Sequence, residues 1–365
     1  MRVIFLCNTP YQVMTACCVK HSFFKDSVAD IIISDHMQLS QDLAAHVNDA
    51  KGLFENVFNV ASKQLFETVG KANKYQRRFY RAFPEKIVDK LIKVKEKYDV
   101  FLCANVEPFS ELFFLYLRKF SNYQIKAQWF EDGLAASYFD KYIYEQETKS
   151  FKHFVKHVLY GKTLNNFVEK AYVFAPDSIE WRKDIEICTI PKIDKSDAVF
   201  VNQLNLAFGY NSCEDVYDKK YIFFEDGFLD YGNPATKRVV QLLVDKLSAD
   251  NMMVKIHPRN PQNFFGALSC KTNKNTFIPW EVIALNTDLN DKVLLTVCSG
   301  AVLSPYFHFG ETPHSIMLYK IDKEFQNFDK NFCSFIENEF LEKNKAIFHI
   351  PSSVKELEKL INQVG

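Results

Sequence analysis

The stretch Val3-Ile4-Phe5-Leu6-Cys7-Asn8-Thr9-Pro10-Tyr11-Gln12 opens the chain with five apolar residues, a polar turn and a proline. An apolar run of that length closed by a turn is the pattern of a strand buried on both faces. A proline just past the turn suits the first position of a helix, where its missing N–H costs nothing. A strand therefore feeds a helix over 12–20. Working outward, strand-like runs recur at 31–34, 100–103 and 124–130, with helical patterns at 38–48, 86–97 and 108–120 between them. Apolar segments at 171–174 and 187–191 precede a polar connection at 192–197. The alternation then resumes with strands at 221–224, 253–256, 293–297 and 315–318, helices at 235–247 and 354–363, and helical patterns near Trp280 and Ala301. Strands alternating with helices mean parallel sheets covered by helices. The expectation is an α/β protein of two Rossmann-like domains facing a central cleft, 1–195 and 196–365, with the terminal helix free to pack back on the first.

Composition narrows the function classes. With 365 residues, 47% of them hydrophobic, the chain can bury two cores. Lys+Arg and Asp+Glu both number 45, so no net charge draws the protein to nucleic acid, and any anionic ligand must be met by local basic residues. The nine cysteines include adjacent Cys17 and Cys18 and no CxxC. That pattern points to reduced thiols and a cytoplasmic protein. The short apolar start without a small-residue cleavage site reads as a strand and not a signal peptide, and no run approaches the ~18 apolar residues that span a bilayer. Internal repeats and low-complexity segments are absent.

The chemistry-bearing residues cluster at the ends of strand-like runs, where open α/β sheets bind ligands. Two acidic-glycine strings, Trp129-Phe130-Glu131-Asp132-Gly133 and Phe223-Phe224-Glu225-Asp226-Gly227, are followed by Lys255-Ile256-His257-Pro258-Arg259 and Cys298-Ser299-Gly300-Ala301. Each alone is commonplace: Asp and Gly favour turns, His-Pro closes strands, and Ser-Gly-Ala starts helices. Taken in order they suit group transfer from an anionic donor, with a carboxylate to accept a proton from an attacking hydroxyl and an imidazole to neutralise a leaving phosphate. Cys7, Cys103 and Cys298 read as small buried hydrophobes, and His308 and His314 as surface or core histidines.

Two α/β halves suggest the GT-B architecture of nucleotide-sugar glycosyltransferases, although two-domain periplasmic binders and some epimerases share the pattern. The motifs decide between them. Thr9-Pro10-Tyr11-Gln12, Ala104-Asn105-Val106-Glu107, Phe130-Glu131-Asp132-Gly133, His257-Pro258-Arg259, Ile278-Pro279-Trp280-Glu281 and Cys298-Ser299-Gly300-Ala301 together resemble the bacterial sialyltransferases, in particular glycosyltransferase family 52, the lipooligosaccharide and capsule sialyltransferases. The resemblance implies a GT-B fold, a CMP-sialic acid donor on the C-terminal domain, and inversion at the anomeric carbon without metal. The lack of any Asp-x-Asp agrees with that last point.

Carried onto this chain, the resemblance gives His257 to the CMP phosphate, as hydrogen-bond donor or general acid, with Pro258 fixing the turn. Ser299 and the amides of Gly300 and Ala301 would hold the same phosphate at a helix start. Glu281 would reach the ribose or base, and Lys255 or Arg259 would add charge. The general base stays open among Asp132, Asp226 and Asp230, the last two in a loop that departs from the family pattern.

The reading is therefore a sialyltransferase that needs no cofactor, moving N-acetylneuraminic acid from CMP to a terminal galactose-type hydroxyl of a lipooligosaccharide or capsular glycan. Its rivals are a transferase of another CMP-activated acidic sugar such as Kdo, and a catalytically silent glycan-binding or assembly protein. Expected partners are the CMP-sugar and a galactoside-terminated acceptor, free or lipid-linked. Nucleic acid is excluded, and a homodimer is left open. Residues 63–97 carry eleven Lys/Arg against four acidic residues, with Phe66, Tyr75, Phe79, Tyr80 and Phe83 interleaved. This segment is a solvated helical face or a peripheral contact with anionic lipid at the inner face of the cytoplasmic membrane.

Overall fold

The apolar run that opens the chain forms β1 (Arg2–Cys7), in which everything from Val3 onward is buried. Thr9 then ends the strand in extended backbone and caps α1 (Pro10–Phe23), its Oγ1 accepting from the Gln12 N–H at 3.2 Å with Pro10 in the first turn. This computed structural model describes residues 1–122, 124–133, 163–176, 184–212, 217–227, 234–260, 263–325, 333 and 336–364. They divide into two units, Met1–Gly209 and Tyr210–Gly365.

In the first unit, β2 (Val28–Ser34), β3 (Val57–Val60), β4 (Val100–Cys103), β5 (Lys126–Phe130), β6 (Val168–Val173) and β7 (Glu186–Thr189) join β1 in a seven-stranded sheet of order β3-β2-β1-β4-β5-β6-β7. Every pairing is parallel. The order reverses between β1 and β4, so the loops after these strands part in opposite directions and leave a crevice at their carboxyl ends. Helices α2 (Ser40–Asp49), α3 (Lys63–Lys71), α4 (Lys74–Ala82), α5 (Glu85–Val88) and α6 (Pro108–Phe120) lie among the connections. Phe109, Phe113, Phe114 and Leu117 of α6 bury against Ile4, Leu6, Phe101 and Trp129. The Phe101 and Phe113 rings meet edge to face at 5.8 Å. Truncating such a phenylalanine to alanine typically costs about 3–5 kcal/mol.

The second unit repeats the plan. β8 (Tyr221–Phe224), β9 (Met252–Lys255), β10 (Lys271–Thr272), β11 (Val293–Thr296), β12 (His314–Met317) and β13 (Phe348–His349) form a parallel sheet of order β10-β9-β8-β11-β12-β13, which reverses between β8 and β11. Helix Pro234–Leu247 is tied by Arg238 to Asp322 at 2.7 Å and by Lys246 to Glu358 of the terminal helix Val354–Val364 at 2.5 Å.

Three expectations from sequence change. The helix expected over 86–97 shrinks to α5, because Ile92, Val94 and Tyr98 bury along an irregular path and the Tyr98 hydroxyl donates to buried Asp30 at 2.5 Å. Second, the connection at 192–197 leads into helix Ala198–Ala207, capped by Asp197. That helix belongs to the first unit: Gln203 donates to the Lys51 carbonyl and the Phe200 ring stacks on His21 at 4.0 Å. The first unit consequently runs to Gly209 and not to 195. Third, β3, β10 and β13 join the sheets without having been expected: β3 buries only Val60, and β10 and β13 are two residues long.

Candidate active site

The first unit's crevice is lined from three strand ends. After β1, the Asn8 amide N–H donates to Gln12 Oε1 at 2.6 Å, and its side chain links Ser34 and Glu107 at 2.6 and 2.8 Å. After β5, the two acids of the first acidic-glycine string divide the work. Glu131 is buried and accepts from the Tyr11 hydroxyl and the Phe174 amide, both at 2.8 Å, so it braces β5 against α1 and β6. Asp132 instead turns into the crevice and accepts from Thr9 Oγ1 at 3.3 Å and Asn105 Nδ2 at 3.1 Å. Because Thr9 Oγ1 already accepts from Gln12, its own proton is directed at the carboxylate. Burial raises the Asp132 pKa above the usual carboxylate value, with the Asn105 and Thr9 bonds pulling the other way. A carboxylate so placed is a stronger base than one in water.

The neighbouring Glu107 is likewise raised by burial, while His36, with Nε2 at 3.6 Å from its Oε2, favours its charged form. Sequence reasoning assigned no role to Asn8, His36 or Glu107. Asn8 follows β1 and Glu107 follows β4, the two strands that border the crevice, and Glu107 closes the motif Ala104-Asn105-Val106-Glu107, whereas His36 follows β2, one strand further out.

In the second unit three of the expected motifs end adjacent strands, β9, β8 and β11. Glu225 accepts from the His257 amide at 2.9 Å and Asn260 Nδ2 at 2.6 Å, which staples the loop after β9 to the loop after β8. The Asn260 N–H closes a turn on the His257 carbonyl at 2.9 Å, with Pro258 pre-set at its second position. His257 Nδ1 accepts from the Arg259 N–H at 3.2 Å, so Nε2 is the protonated nitrogen of the neutral ring. Burial, then the Arg259 and Lys255 charges, lower the His257 pKa to about 4. The ring lies against Gly227, where a Cβ would stand 2.4 Å from His257 Nε2. The glycine is what lets the two loops approach so closely.

Across the reversal point, Asp226 Oδ1 accepts from the Cys298 amide at 3.0 Å. Asp226 is 2% exposed, and burial raises its pKa to about 7. It is a buried latch between the loops after β8 and β11. Asp230 lies outside the described residues.

Ser299 caps a four-residue 3-10 turn, Gly300–Leu303, and its Oγ accepts from the Ala301 amide at 3.3 Å. The expected helix start is thus a short turn with the Ala301 N–H already engaged, which leaves Ser299 and Gly300 as the more open part of the motif. Glu281 sits buried in the first turn of helix Trp280–Leu285 and accepts from Ser304 Oγ at 2.5 Å. Arg259 is exposed and Pro258 partly so. His308 is a core residue whose Nδ1 meets the Ser304 carbonyl at 2.9 Å. Cys7, Cys103 and Cys298 are buried thiols; burial pushes Cys7 well above the ordinary value and its neighbour Cys17 up to about 12, so neither supplies a nucleophile.

Comparison with known proteins gives the family. Residues 3–313 match the alpha-2,8-polysialyltransferase (POLYST) family. The chain belongs to the alpha-2,8-polysialyltransferase family. It is a sialyltransferase-type glycosyltransferase, and the family spans both units and all of the strand-end motifs. Solved structures bear out the fold. The alpha/beta-galactoside alpha-2,3-sialyltransferase of Photobacterium phosphoreum aligns with a TM-score of 0.52 at 12% identity, covering 98% of each chain. The GT-B domain of the Photobacterium damselae sialyltransferase gives 0.50 at 10% identity, over 96% of this chain and 100% of that one. A Polygonum tinctorium UDP-glucosyltransferase capable of glucosylating indoxyl gives 0.51 at 10% identity, over 99% and 88%. No curated protein sequence shows significant similarity. Two parallel α/β units with these neighbours make the polysialyltransferase-family chain a GT-B protein.

Proposed function

We propose that the chain transfers sialic acid from CMP-Neu5Ac to a glycan hydroxyl, with inversion and without a metal. The observation that carries this reading is the family match across 3–313, which includes a crevice carboxylate in one unit and a neutral histidine at the strand ends of the other. Asp132 removes the proton from the acceptor hydroxyl, whose oxygen bonds to the anomeric carbon of the donor. The carbon–oxygen bond to phosphate breaks, and CMP leaves with the electron pair. His257 Nε2–H donates to that phosphate, aided by Ser299, the Gly300 amide and the Arg259 charge. Asp226 and Glu225 hold the loops that carry these groups, and Glu281 positions Ser304 behind them.

For the acceptor, the motif resemblance to family 52 supports a terminal galactose-type hydroxyl of a lipooligosaccharide or capsular glycan. The matched family supports a second acceptor, the 8-hydroxyl of a sialic acid already in place, which would make the product a polymer. One assay addresses both: CMP release from CMP-Neu5Ac or CMP-Kdo, offered a galactoside or a short oligosialic acid, with product linkage read by NMR. Turnover of CMP-Neu5Ac is expected. Preference for CMP-Kdo would give the protein to the rival donor, and no turnover of either would leave a silent glycan-binding scaffold.

A further inference from the structure

Helix α4 is nine residues long and none of them is buried. It is secured instead at its start, where Asn73 Oδ1 accepts from the Tyr75 and Gln76 amides at 3.0 Å and Gln76 Oε1 accepts from the Asn73 amide at 2.9 Å. Arg77 donates to the Gly70 and Ala72 carbonyls and so ties α4 to α3. On the inner side Tyr80 packs against the core and Arg81 pairs with Glu111 of α6. Away from that side stand Tyr75 and Phe79, followed by Phe83 just past the helix end with Lys119 Nζ of α6 5.3 Å over its ring; the three are spaced i, i+4 and i+8 and 69%, 49% and 46% exposed. The Phe79 and Phe83 rings lie 5.2 Å apart, and Lys74 Nζ stands 5.1 Å over Tyr75. Residues 63–83 hold six Lys/Arg and one acid, Glu67, on a chain whose net charge is zero.

A single exposed aromatic needs no explanation, but three on one stripe beside Lys74 and Arg78 form an amphipathic surface with its apolar side outward. We propose that α4 docks this protein on an anionic lipid surface. Tyr75, Phe79 and Phe83 enter the boundary between headgroups and acyl chains, while Lys74 and Arg78 meet lipid phosphates. The pairing of exposed rings with cations decides the occupant: an anionic lipid surface takes the rings below its headgroups and the charges at its phosphates. Among the described residues no helix is long and apolar enough to cross a membrane, and docking of this kind requires none.

The test is sedimentation of the whole chain with vesicles of phosphatidylcholine alone or mixed equally with phosphatidylglycerol. Since it needs no turnover, it stands apart from the proposed reaction. The wild type should sediment with the mixed vesicles only. Tyr75→Ser/Phe79→Ser/Phe83→Ser should keep the wild-type circular dichroism and partition at least about tenfold more weakly at any salt concentration. Lys74→Gln/Arg78→Gln should lose about as much at low salt and little at high salt, since screening removes the same attraction. Sedimentation of the aromatic triple variant at the wild-type level overturns the proposal. So does a wild type that ignores the mixed vesicles yet binds a soluble oligosialic acid through Lys74 and Arg78.

Discussion

Asp226 and His257 titrate in opposite directions within the same unit. Asp226 has a folded pKa of about 7 against an ordinary 3.8, so the stability tied to its protonated form is present below about pH 4 and is lost as pH rises through 7. His257 has a folded pKa of about 4 against 6.5, so its contribution is present above 6.5 and is lost as pH falls through 4. The two slopes oppose each other over the same interval. Relative to wild type, Asp226→Asn should gain stability as pH rises from 4 to 7, and His257→Ala should lose it over that range; thermal unfolding midpoints at half-unit steps measure both. Equal pH profiles for Asp226→Asn and wild type would mean that the carboxyl is not held protonated.

Function separates the same residues differently. Asp132→Asn should lower turnover roughly a hundredfold or more while CMP binding persists, because an amide keeps the size and shape of the carboxylate, with one oxygen still able to accept, but takes no proton. Asp226→Asn should stay within about tenfold of wild type, since an amide oxygen still accepts from the Cys298 N–H. The reverse ranking would move the base to the second unit.

At the level of elements, the two acidic-glycine strings look alike in sequence and occupy different topological positions. The first follows β5, the second strand beyond its unit's reversal point, whereas the second follows β8, which borders the reversal itself. The counterpart of Glu225-Asp226-Gly227 in the first unit is Asn8-Thr9-Pro10, after β1. Spacing along the chain therefore could not say which aspartate opens to a substrate, while strand order and burial separate Asp132 from Asp226. What was legible were the long, buried parallel strands and the motifs at their ends. What was not legible depended on tertiary packing: helix Ala198–Ala207 in the first unit, and the contact of Gly227 with the His257 ring.

The two glycines give a matched prediction. Gly133 has φ of +84° with nothing among the described residues within 4 Å of a would-be Cβ, so Gly133→Ala should cost backbone strain of about 1–2 kcal/mol in unfolding free energy. Gly227→Ala would force the His257 ring away and should lower turnover about as far as His257→Ala, at least tenfold, at saturating donor. Near-normal turnover of Gly227→Ala would show that the ring position is not what the chemistry uses.

For the molecule as a whole, 45 basic and 45 acidic residues leave no general field to hold an anionic donor. On the proposed function, the phosphate of a CMP-sugar is neutralised by what stands at the carboxyl ends of β9, β8 and β11. His257 Nε2–H, the exposed Arg259, Ser299 and the Gly300 amide are all there, on loops held together by Glu225 and Asp226. A CMP-sugar carries a single phosphate, a diester with one negative charge, less than the nucleotide diphosphates that Asp-x-Asp motifs hold through a divalent ion, and this chain has no Asp-x-Asp. If hydrogen bonds and one guanidinium do that work, EDTA should leave the rate of CMP release unchanged, and added Mg²⁺ or Mn²⁺ should raise it less than about twofold. Arg259→Gln should then weaken donor use several-fold through KM, with Mg²⁺ unable to restore it, because the lost contact is a positioned charge on a protein loop. Activity abolished by EDTA and recovered with Mg²⁺ would instead require the donor's charge to be met by an ion, and the neutralising role given to His257 and Arg259 would fall with it.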